Sequence, residues 1–206
     1  RWRRGSAFLG GAAEDPQFRK MGKLVFVVAL VVAVVNALTA MGMWDEFLKF
    51  RNPVPFGETD PLFGIDIGFY VFTLPFVKFV QAWGQGVLML ALVGSCAVYF
   101  MTRVISIQNG RPYAAPAARL HLTLLGALML ACWGAGYWLN RYELLFSPTG
   151  VVWGAGYTDA SIVLPALSIL AFAMFAAAVL LCVNFFKPMW KLSAVIVGAL
   201  IVVGWA

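Results

Sequence analysis

The segment Leu24–Met43 decides the fold: it reads LVFVVALVVAVVNALTAMGM, twenty residues with Asn36 as the one strongly polar member. A helix rises about 1.5 Å per residue, so about 20 apolar residues cross a hydrocarbon core about 30 Å thick. Three further segments pass the same test and a shorter fifth one follows them: residues 79–101, 120–139, 162–186 and 192–206. We therefore predict an all-α fold, a polytopic transmembrane helical bundle of about five spans.

The composition of the 206-residue chain agrees with this prediction. Hydrophobic residues make up 62% of it and charged residues 12%, against about 45–50% and 25% in ordinary soluble domains. The mean hydropathy is +0.86. So little charge excludes a water-soluble globule, and so much apolar surface excludes a disordered chain. Three cysteines are too few for a disulfide framework.

The charges of the connecting segments predict an orientation. Residues 1–23, 102–119 and 187–191 together carry eleven basic and two acidic residues, whereas residues 44–78 and 140–161 carry four basic and seven acidic ones. Lys and Arg gather on the cytoplasmic side of membranes. We expect residues 1–23 to be a cytoplasmic segment, residues 44–78 and 140–161 to be outer loops, and the C-terminal end to point outward. This topology accounts for the net charge of +6 without a nucleic-acid partner.

Small residues predict how the spans pack. Since lipid does not press helix on helix, close approach between small side chains matters more. Stripes of small residues at four-residue spacing occur on four of the five spans: Ala29, Ala33 and Ala37; Ala127, Ala131 and Ala135; Ala173 and Ala177; Ala194 and Gly198. We expect a compact bundle in which Asn36 makes an interhelical hydrogen bond; a role of Asn36 in transport is the sharper alternative.

The first outer loop is aromatic and rich in proline and glycine. We expect the first span to continue as an amphipathic turn or two to Arg51, where Pro53 ends it. Residues 63–76 are expected to form an interfacial helix on the outer leaflet. The acids Glu58, Asp60 and Asp66 have two interpretations. They cap and shape turns, with Asp60 before Pro61 as a helix N-cap, or they line a cation site, although their spacing matches no EF-hand loop.

The second outer loop supplies the other candidate polar residues. Arg141 and Glu143 are expected to form a local ion pair, and Thr158 or Asp159 to cap the fourth span. The candidate residues divide into an outer-loop group and an intramembrane group. The outer-loop polar site comprises Glu58, Asp60, Asp66, Arg141, Glu143 and Asp159, and the intramembrane polar residues are Asn36, Gln81 and Gln85.

Residues typical of catalysis are sparse. His121 is the only histidine and is expected to be hydrated at the cytoplasmic interface, and the three cysteines, without CxxC spacing, are expected to fill packing positions. No serine hydrolase, Walker A, zinc protease or dinucleotide motif occurs. No acid or base lies at mid-span, which argues against a proton-coupled transporter contained in this segment. We therefore assign no catalytic residue, cofactor or metal, and lean against an enzyme.

Two long runs carry a family resemblance. They are NPVPFGETDPLFGIDIGFYVFTLPF at 52–76 and YWLNRYELLFSP at 137–148, the second continued by GAGYTD at 154–159. In these runs, and over nearly the whole chain, the sequence resembles the UPF0182 family of bacterial membrane proteins. The resemblance implies a large polypeptide with about seven spans and a big extracytoplasmic domain, of which this chain would hold the third to seventh spans, cut at both ends. It implies a multi-pass protein of the bacterial inner (plasma) membrane and no reaction.

Three functions are compatible with the sequence. The leading hypothesis is a non-enzymatic membrane anchor, or a subunit that docks in a larger membrane assembly, with the lipid bilayer and other membrane protein chains as partners. The alternative is a transporter or lipid-handling protein with Asn36, Gln81, Gln85 and the first-loop acids along its path. An enzyme of envelope lipids or glycans, with its chemistry in an outer domain, is the third.

Overall fold

The computed structural model describes residues 16–108, 111–146 and 154–186. Over these residues it contains four helices that are long and apolar enough to cross a membrane: Gly22–Met41, Phe69–Met101, Pro116–Phe146 and Asp159–Asn184. The predicted fold class, a helical transmembrane bundle, is confirmed by them. The fifth predicted span, 192–206, lies outside the described residues, as does most of the predicted cytoplasmic segment.

Helix α1 is Pro16–Met41 and belongs to the first of two compact units, residues 1–45. Pro16 suits the first position of a helix, where its missing N–H is not needed. Within α1 the Asn36 side chain donates to the Val32 carbonyl oxygen one turn earlier, at 2.8 Å. The expected interhelical bond of Asn36 therefore stays a prediction.

Helix α2, Trp44–Arg51, follows α1 after a turn at residues 42–43. It ends where the Asn52 amide nitrogen Nδ2 donates to the Leu48 carbonyl oxygen at 3.0 Å, one residue before Pro53, which cannot continue a helix. The predicted amphipathic extension as far as Arg51 is confirmed, although it is a separate helix. Its Phe50 ring stacks on Phe76, with ring centroids 4.9 Å apart.

The second unit, residues 46–206, holds the other three long helices. Helix α3 is Leu74–Met101, α4 is Pro116–Glu143 and α5 is Leu164–Phe186. A single 3-10 turn, Leu144–Phe146, extends α4.

Helices α3 and α5 begin in the same way. A π-helical turn precedes each one, Phe69–Thr73 before α3 and Asp159–Val163 before α5. The next two residues are Leu-Pro in both cases. A proline ring has no N–H and clashes with the carbonyl group four residues before it. A π turn makes its bonds over five residues, so placing it just before the proline relieves the clash.

Helices α4 and α5 form the most closely packed pair. The buried residues of their shared core are small or flexible: Ala127, Leu130, Met174, Ala177 and Ala178. Ala131 packs against them. Ala127 and Ala131 of one predicted stripe and Ala177 of the other therefore lie in the packed surface, as expected for helices that approach closely in lipid.

A short β-hairpin joins α3 to α4. Strands β1, Ile105–Gln108, and β2, Arg111–Ala114, pair antiparallel with Gln108 opposite Arg111. The all-α prediction did not include it. The signal was present, because the two residues between the strands are Asn109-Gly110, the pair that favours tight hairpin turns.

Candidate functional site

The loop between α2 and α3, residues 52–68, is called the Asp60 loop here because that side chain organises it. The Asp60 carboxylate accepts the backbone N–H groups of Leu62, Phe63 and Ile65 at 2.8, 2.6 and 2.9 Å. It also accepts the Tyr70 hydroxyl at 2.8 Å. Asp60 is only 8% exposed. A buried charge needs such bonds to be tolerated, so all four hold the loop closed around it.

Asp66 performs the same task on the other side of the loop. Its carboxylate accepts the backbone N–H groups of Phe56, Gly57 and Gly68 at 3.1, 3.0 and 2.6 Å. The chain around it is further held by a bond of 3.0 Å from the Ile67 N–H to the Glu58 carbonyl oxygen. Two carboxylates thus satisfy six backbone donors in a segment without regular secondary structure.

Gly68 is required where the loop meets the first turn of α3. A Cβ atom at that position would lie 2.5 Å from the Val54 carbonyl oxygen and 2.9 Å from an oxygen of Asp66. No side chain fits at those distances. The loop therefore closes on itself because glycine lets the backbone of residue 68 approach that of residue 54.

The predicted interfacial helix over 63–76 is wrong in its bounds. The π turn starts at Phe69 and continues directly into α3, so the candidate span is Phe69–Met101. Residues 63–66 lie in the loop instead, where the Asp60 carboxylate accepts the Phe63 and Ile65 N–H groups. Asp60 therefore caps the turn at residues 61–63 rather than a helix.

Hydrogen bonds hold the pKa of both carboxyl groups below the usual value. Burial raises the pKa of Asp60, but the bonds from Phe63, Tyr70, Ile65 and Leu62 lower it further than burial raises it. For Asp66, the N–H groups of Phe56, Gly68 and Gly57 outweigh the opposing effect of desolvation. Both groups are therefore ionised at neutral pH, as their role in accepting N–H bonds requires.

We expect these carboxylates to make stability depend on acid. Because both pKa values are lower in the folded state than in the unfolded chain, their stabilisation is complete above about pH 4 and disappears as the pH falls through the folded-state values. The midpoint temperature of unfolding in mild detergent should therefore decrease as the pH is lowered from about 5 to about 2. The Asp60→Asn, Asp66→Asn double variant should show a flatter dependence, and an unchanged slope would contradict this assignment.

An aromatic cluster joins the Asp60 loop to the end of α4. The Tyr142 ring of α4 lies edge-on to Phe63 and Phe69, with centroids 5.0 and 5.3 Å apart. Tyr70, which bonds Asp60, contacts Tyr142 at 6.3 Å and Phe146 at 6.1 Å. Aromatic pairs at such distances and tilts are favourable, so the loop is fixed to the bundle. Sequence reasoning missed this cluster, although the alternation of aromatic and acidic residues in 56–70 pointed to it.

Glu143 has a different ion-pair partner from the expected one. It pairs with Lys78 of α3, and the Lys78 ammonium also donates to the Asn140 side-chain oxygen at 3.1 Å. Arg141, the expected partner, lies over the Trp138 ring instead, with its guanidinium carbon 4.1 Å from the ring centroid. The predicted local pair fails because residues two apart on a helix do not face each other.

Asp159 contributes to the start of the fourth span, but not as its N-cap. Its carboxylate accepts the Gly156 N–H at 3.0 Å, and the Ala160 N–H donates to the Gly156 carbonyl oxygen at 3.0 Å. Gly156 is therefore the cap, and Asp159 reaches back to it from three residues later, as in a capping box. The Thr158 side chain makes no capping bond. The predicted cap at Thr158 or Asp159 is thus wrong by two or three residues.

The intramembrane glutamines form a hydrogen-bonded link between α3 and α4. The Gln81 amide nitrogen donates to the Gln85 side-chain oxygen at 2.8 Å and to the Cys132 carbonyl oxygen at 3.0 Å. The Cys132 thiol donates to the Gln81 carbonyl oxygen at 3.4 Å. Polar side chains within membranes commonly link neighbouring helices in this way. Gln81 and Gln85 therefore contribute to packing between the two spans.

At the hairpin end of the bundle, His121 has a partner that the sequence did not suggest. The Tyr99 hydroxyl lies 2.8 Å from the His121 ring nitrogen Nδ1, and the two rings are perpendicular with centroids 5.9 Å apart. His121 stays exposed, as expected. The pair ties the end of α3 to the start of α4.

The structure thus divides the predicted outer-loop site into separate structural contacts. Asp60 and Asp66 bind their own loop, Glu143 pairs with Lys78, Arg141 stacks on Trp138, and Asp159 binds Gly156. In the part of the chain that the structure describes, no three His, Cys, Asp or Glu side chains come together as metal ligands.

A family model described as an uncharacterised protein family, UPF0182, matches residues 12–206. Three UPF0182 proteins illustrate the similarity. The one from Kocuria rhizophila is 38% identical over 182 residues, which cover 88% of this chain and 18% of the relative. The one from Pelotomaculum thermopropionicum is 35% identical over 184 residues, which cover 89% of this chain and 20% of the relative. The one from Micrococcus luteus is 35% identical over 217 residues, which cover 100% of this chain and 21% of the relative. The chain spans about a fifth of their length. No solved structure matches it.

Proposed function

This chain belongs to the UPF0182 family, and we propose that its role there is non-enzymatic. The chain is a membrane anchor whose Asp60 loop docks a larger membrane assembly made with other membrane protein chains. The bundle holds the loop in place, and the loop presents a fixed surface to its partner. The charge asymmetry of the connecting segments supports an outer position for this loop, a cytoplasmic N-terminal end and an outward C-terminal end, in the bacterial inner membrane.

The single observation that carries this proposal is the use of the loop's own carboxylates. The Asp60 and Asp66 oxygens accept seven hydrogen bonds from within residues 56–70. Carboxylates engaged in this way are poor ligands for a passing cation and poor acids or bases. They stabilise one shape of the loop, and a fixed shape lowers the conformational entropy lost when a partner binds.

The surface of the loop supports docking as well. Val54 and Phe56 are 61% and 56% exposed, although the backbone around them is tightly held. The Phe56 ring stacks on Phe72 at 6.0 Å, so the two form a defined apolar surface and not a mobile one. Apolar side chains presented together on a loop favour a protein or membrane contact.

The transport alternative finds less support in these contacts. Gln81 and Gln85 bond each other and the Cys132 backbone, and Glu143 pairs with Lys78. Each of these interactions joins parts of the bundle. A path for a solute needs polar groups that exchange partners with that solute.

The experiment compares the size of the protein, purified in mild detergent from its own membrane, with that of two double variants. We expect the wild-type protein to be part of a complex larger than the monomer. The Val54→Ser, Phe56→Ser variant should dissociate from it, because apolar area is lost while the backbone contacts of the loop remain. The measurement is light scattering coupled to size-exclusion chromatography.

The matched control is the Val54→Ile, Phe56→Leu variant, which keeps the surface apolar and should keep the complex. A lone wild-type monomer, or a serine variant of unchanged size, would contradict docking through this surface. A flux of Na⁺, K⁺ or Ca²⁺ into vesicles containing the protein, abolished by Gln85→Leu, would favour transport instead.

A further inference from the structure

Arg141 stands out because its charge has no acidic partner among the described residues. Its guanidinium carbon lies 4.1 Å from the Trp138 ring centroid and 5.8 Å from that of Phe63. Its Nε atom is buried and donates to no acceptor in the part of the chain that the structure describes. Among the described residues, the guanidinium contacts the rings of Trp138 and Phe63. An arginine side chain is always charged and carries further N–H donors on its two terminal nitrogens, which are the groups that an anion can reach when Nε is covered.

The neighbouring acids are already engaged elsewhere. Glu143 pairs with Lys78, and the Asp60 carboxylate is bound by three backbone N–H groups and a hydroxyl. The described side chains around this end of α4 therefore leave one positive charge without a carboxylate. Such a charge is most stable where an anion from outside the chain can reach it.

The position of Arg141 along α4 indicates which anion is close. The apolar stretch of this span is 120–139, so Arg141 lies two residues past it, about 3 Å along the helix axis. Trp138, one turn earlier, is a residue typical of the membrane interface. At this depth, an arginine extends to the level of the lipid headgroups.

We propose that Arg141 binds the phosphate of a phospholipid headgroup, with the Trp138 and Phe63 rings holding the guanidinium in place. Because Nε is covered, the two terminal nitrogens form the edge that meets the anion. Their parallel N–H groups match two oxygens of one phosphate, a geometry that lysine lacks. The site takes a phosphodiester from the surrounding leaflet, and inorganic phosphate is the soluble source that has to be distinguished from it.

Native mass spectrometry of the full protein chain, released from detergent micelles with increasing phosphatidylglycerol, tests this site. The wild-type protein should retain one phosphatidylglycerol more than Arg141→Gln, or bind it about tenfold more tightly, the ratio expected for a charge-assisted bond. Arg51→Gln is the matched control. It removes the same charge from an exposed residue of the predicted outer loop and should bind like the wild type.

A second variant and a competitor complete the test. Arg141→Lys keeps the charge and loses the bidentate hydrogen bonding, so it should fold like the wild type and bind the lipid more weakly. Equal retention by wild type, Arg141→Gln and Arg141→Lys would overturn the proposal, as would an equal loss in Arg51→Gln. Millimolar inorganic phosphate should not displace the lipid, and full displacement would assign the site to a soluble anion instead.

Discussion

Replacing Asp60 by asparagine is expected to lower the free energy of unfolding by about 3–5 kcal/mol, since hydrogen bonds to a charged acceptor contribute about 1.5–3 kcal/mol each. The carboxylate accepts four of them, from Leu62, Phe63, Ile65 and Tyr70. An asparagine of the same shape offers one oxygen, so its NH₂ group must face two donors. The measurement is denaturant unfolding in mild detergent, followed by tryptophan fluorescence and by protease cleavage of the loop.

Glu58→Gln provides the control for Asp60→Asn. It removes the same charge from the same loop, but the Glu58 side chain is exposed, so the change in unfolding free energy should stay within about 0.5 kcal/mol. Equal effects of the two substitutions would mean that charge, and not the bonds to Asp60, stabilises the loop.

The second large effect is expected where α4 and α5 touch. A Cβ atom at Gly134 would lie 3.1 Å from the Ala171 carbonyl oxygen and 3.3 Å from the Met174 Cβ. Because backbone atoms cannot move aside as a flexible side chain can, Gly134→Val should force the helices apart. We expect a loss of about 2–3 kcal/mol, as for other overpacked cores, measured by the same denaturant titration.

Gly94→Val of α3 is the matched substitution. Apart from the backbone of its own helix, a Cβ at Gly94 would have no described atom within 4 Å, and valine favours a helix at least as well as glycine. Its stability should therefore equal or slightly exceed that of the wild type. If both valine variants lose the same stability, the cost arises from valine in a helix and not from the contact between α4 and α5.

The transmembrane helices were predictable because length and apolarity follow directly from the thickness of a membrane. The same reasoning identified Ala127 of α4 and Ala177 of α5 as packing positions, since small residues recur where helices approach closely. It also anticipated that the Asp60 carboxylate would accept free backbone amides. The prediction was wrong about what Asp60 caps, which is a turn and not a helix. A turn closed by backbone amides and the start of a helix have similar sequences.

The interaction partners of the charged side chains were harder to predict from the sequence. Lys78 and Glu143 are 65 residues apart, and their pairing depends on how α3 and α4 are aligned, which no local pattern states. For Arg141, the nearness of Glu143 in sequence suggested an ion pair, whereas helix geometry turns the two side chains in different directions. The hairpin was harder to predict for another reason, since its two strands are only four residues long and Asn109-Gly110 is the one local signal for them.

The π turn at Phe69–Thr73 holds one residue more than an α-helical turn of nearly the same rise and rotation. Deleting one of its five residues would return the stretch to α-helical spacing and leave the Asp60 loop oriented much as before. Such a deletion would instead restore the clash between the Pro75 ring and the carbonyl group four residues before it. The loss of stability should therefore arise from the proline and not from a rotated loop, and the same holds for Asp159–Val163 before Pro165.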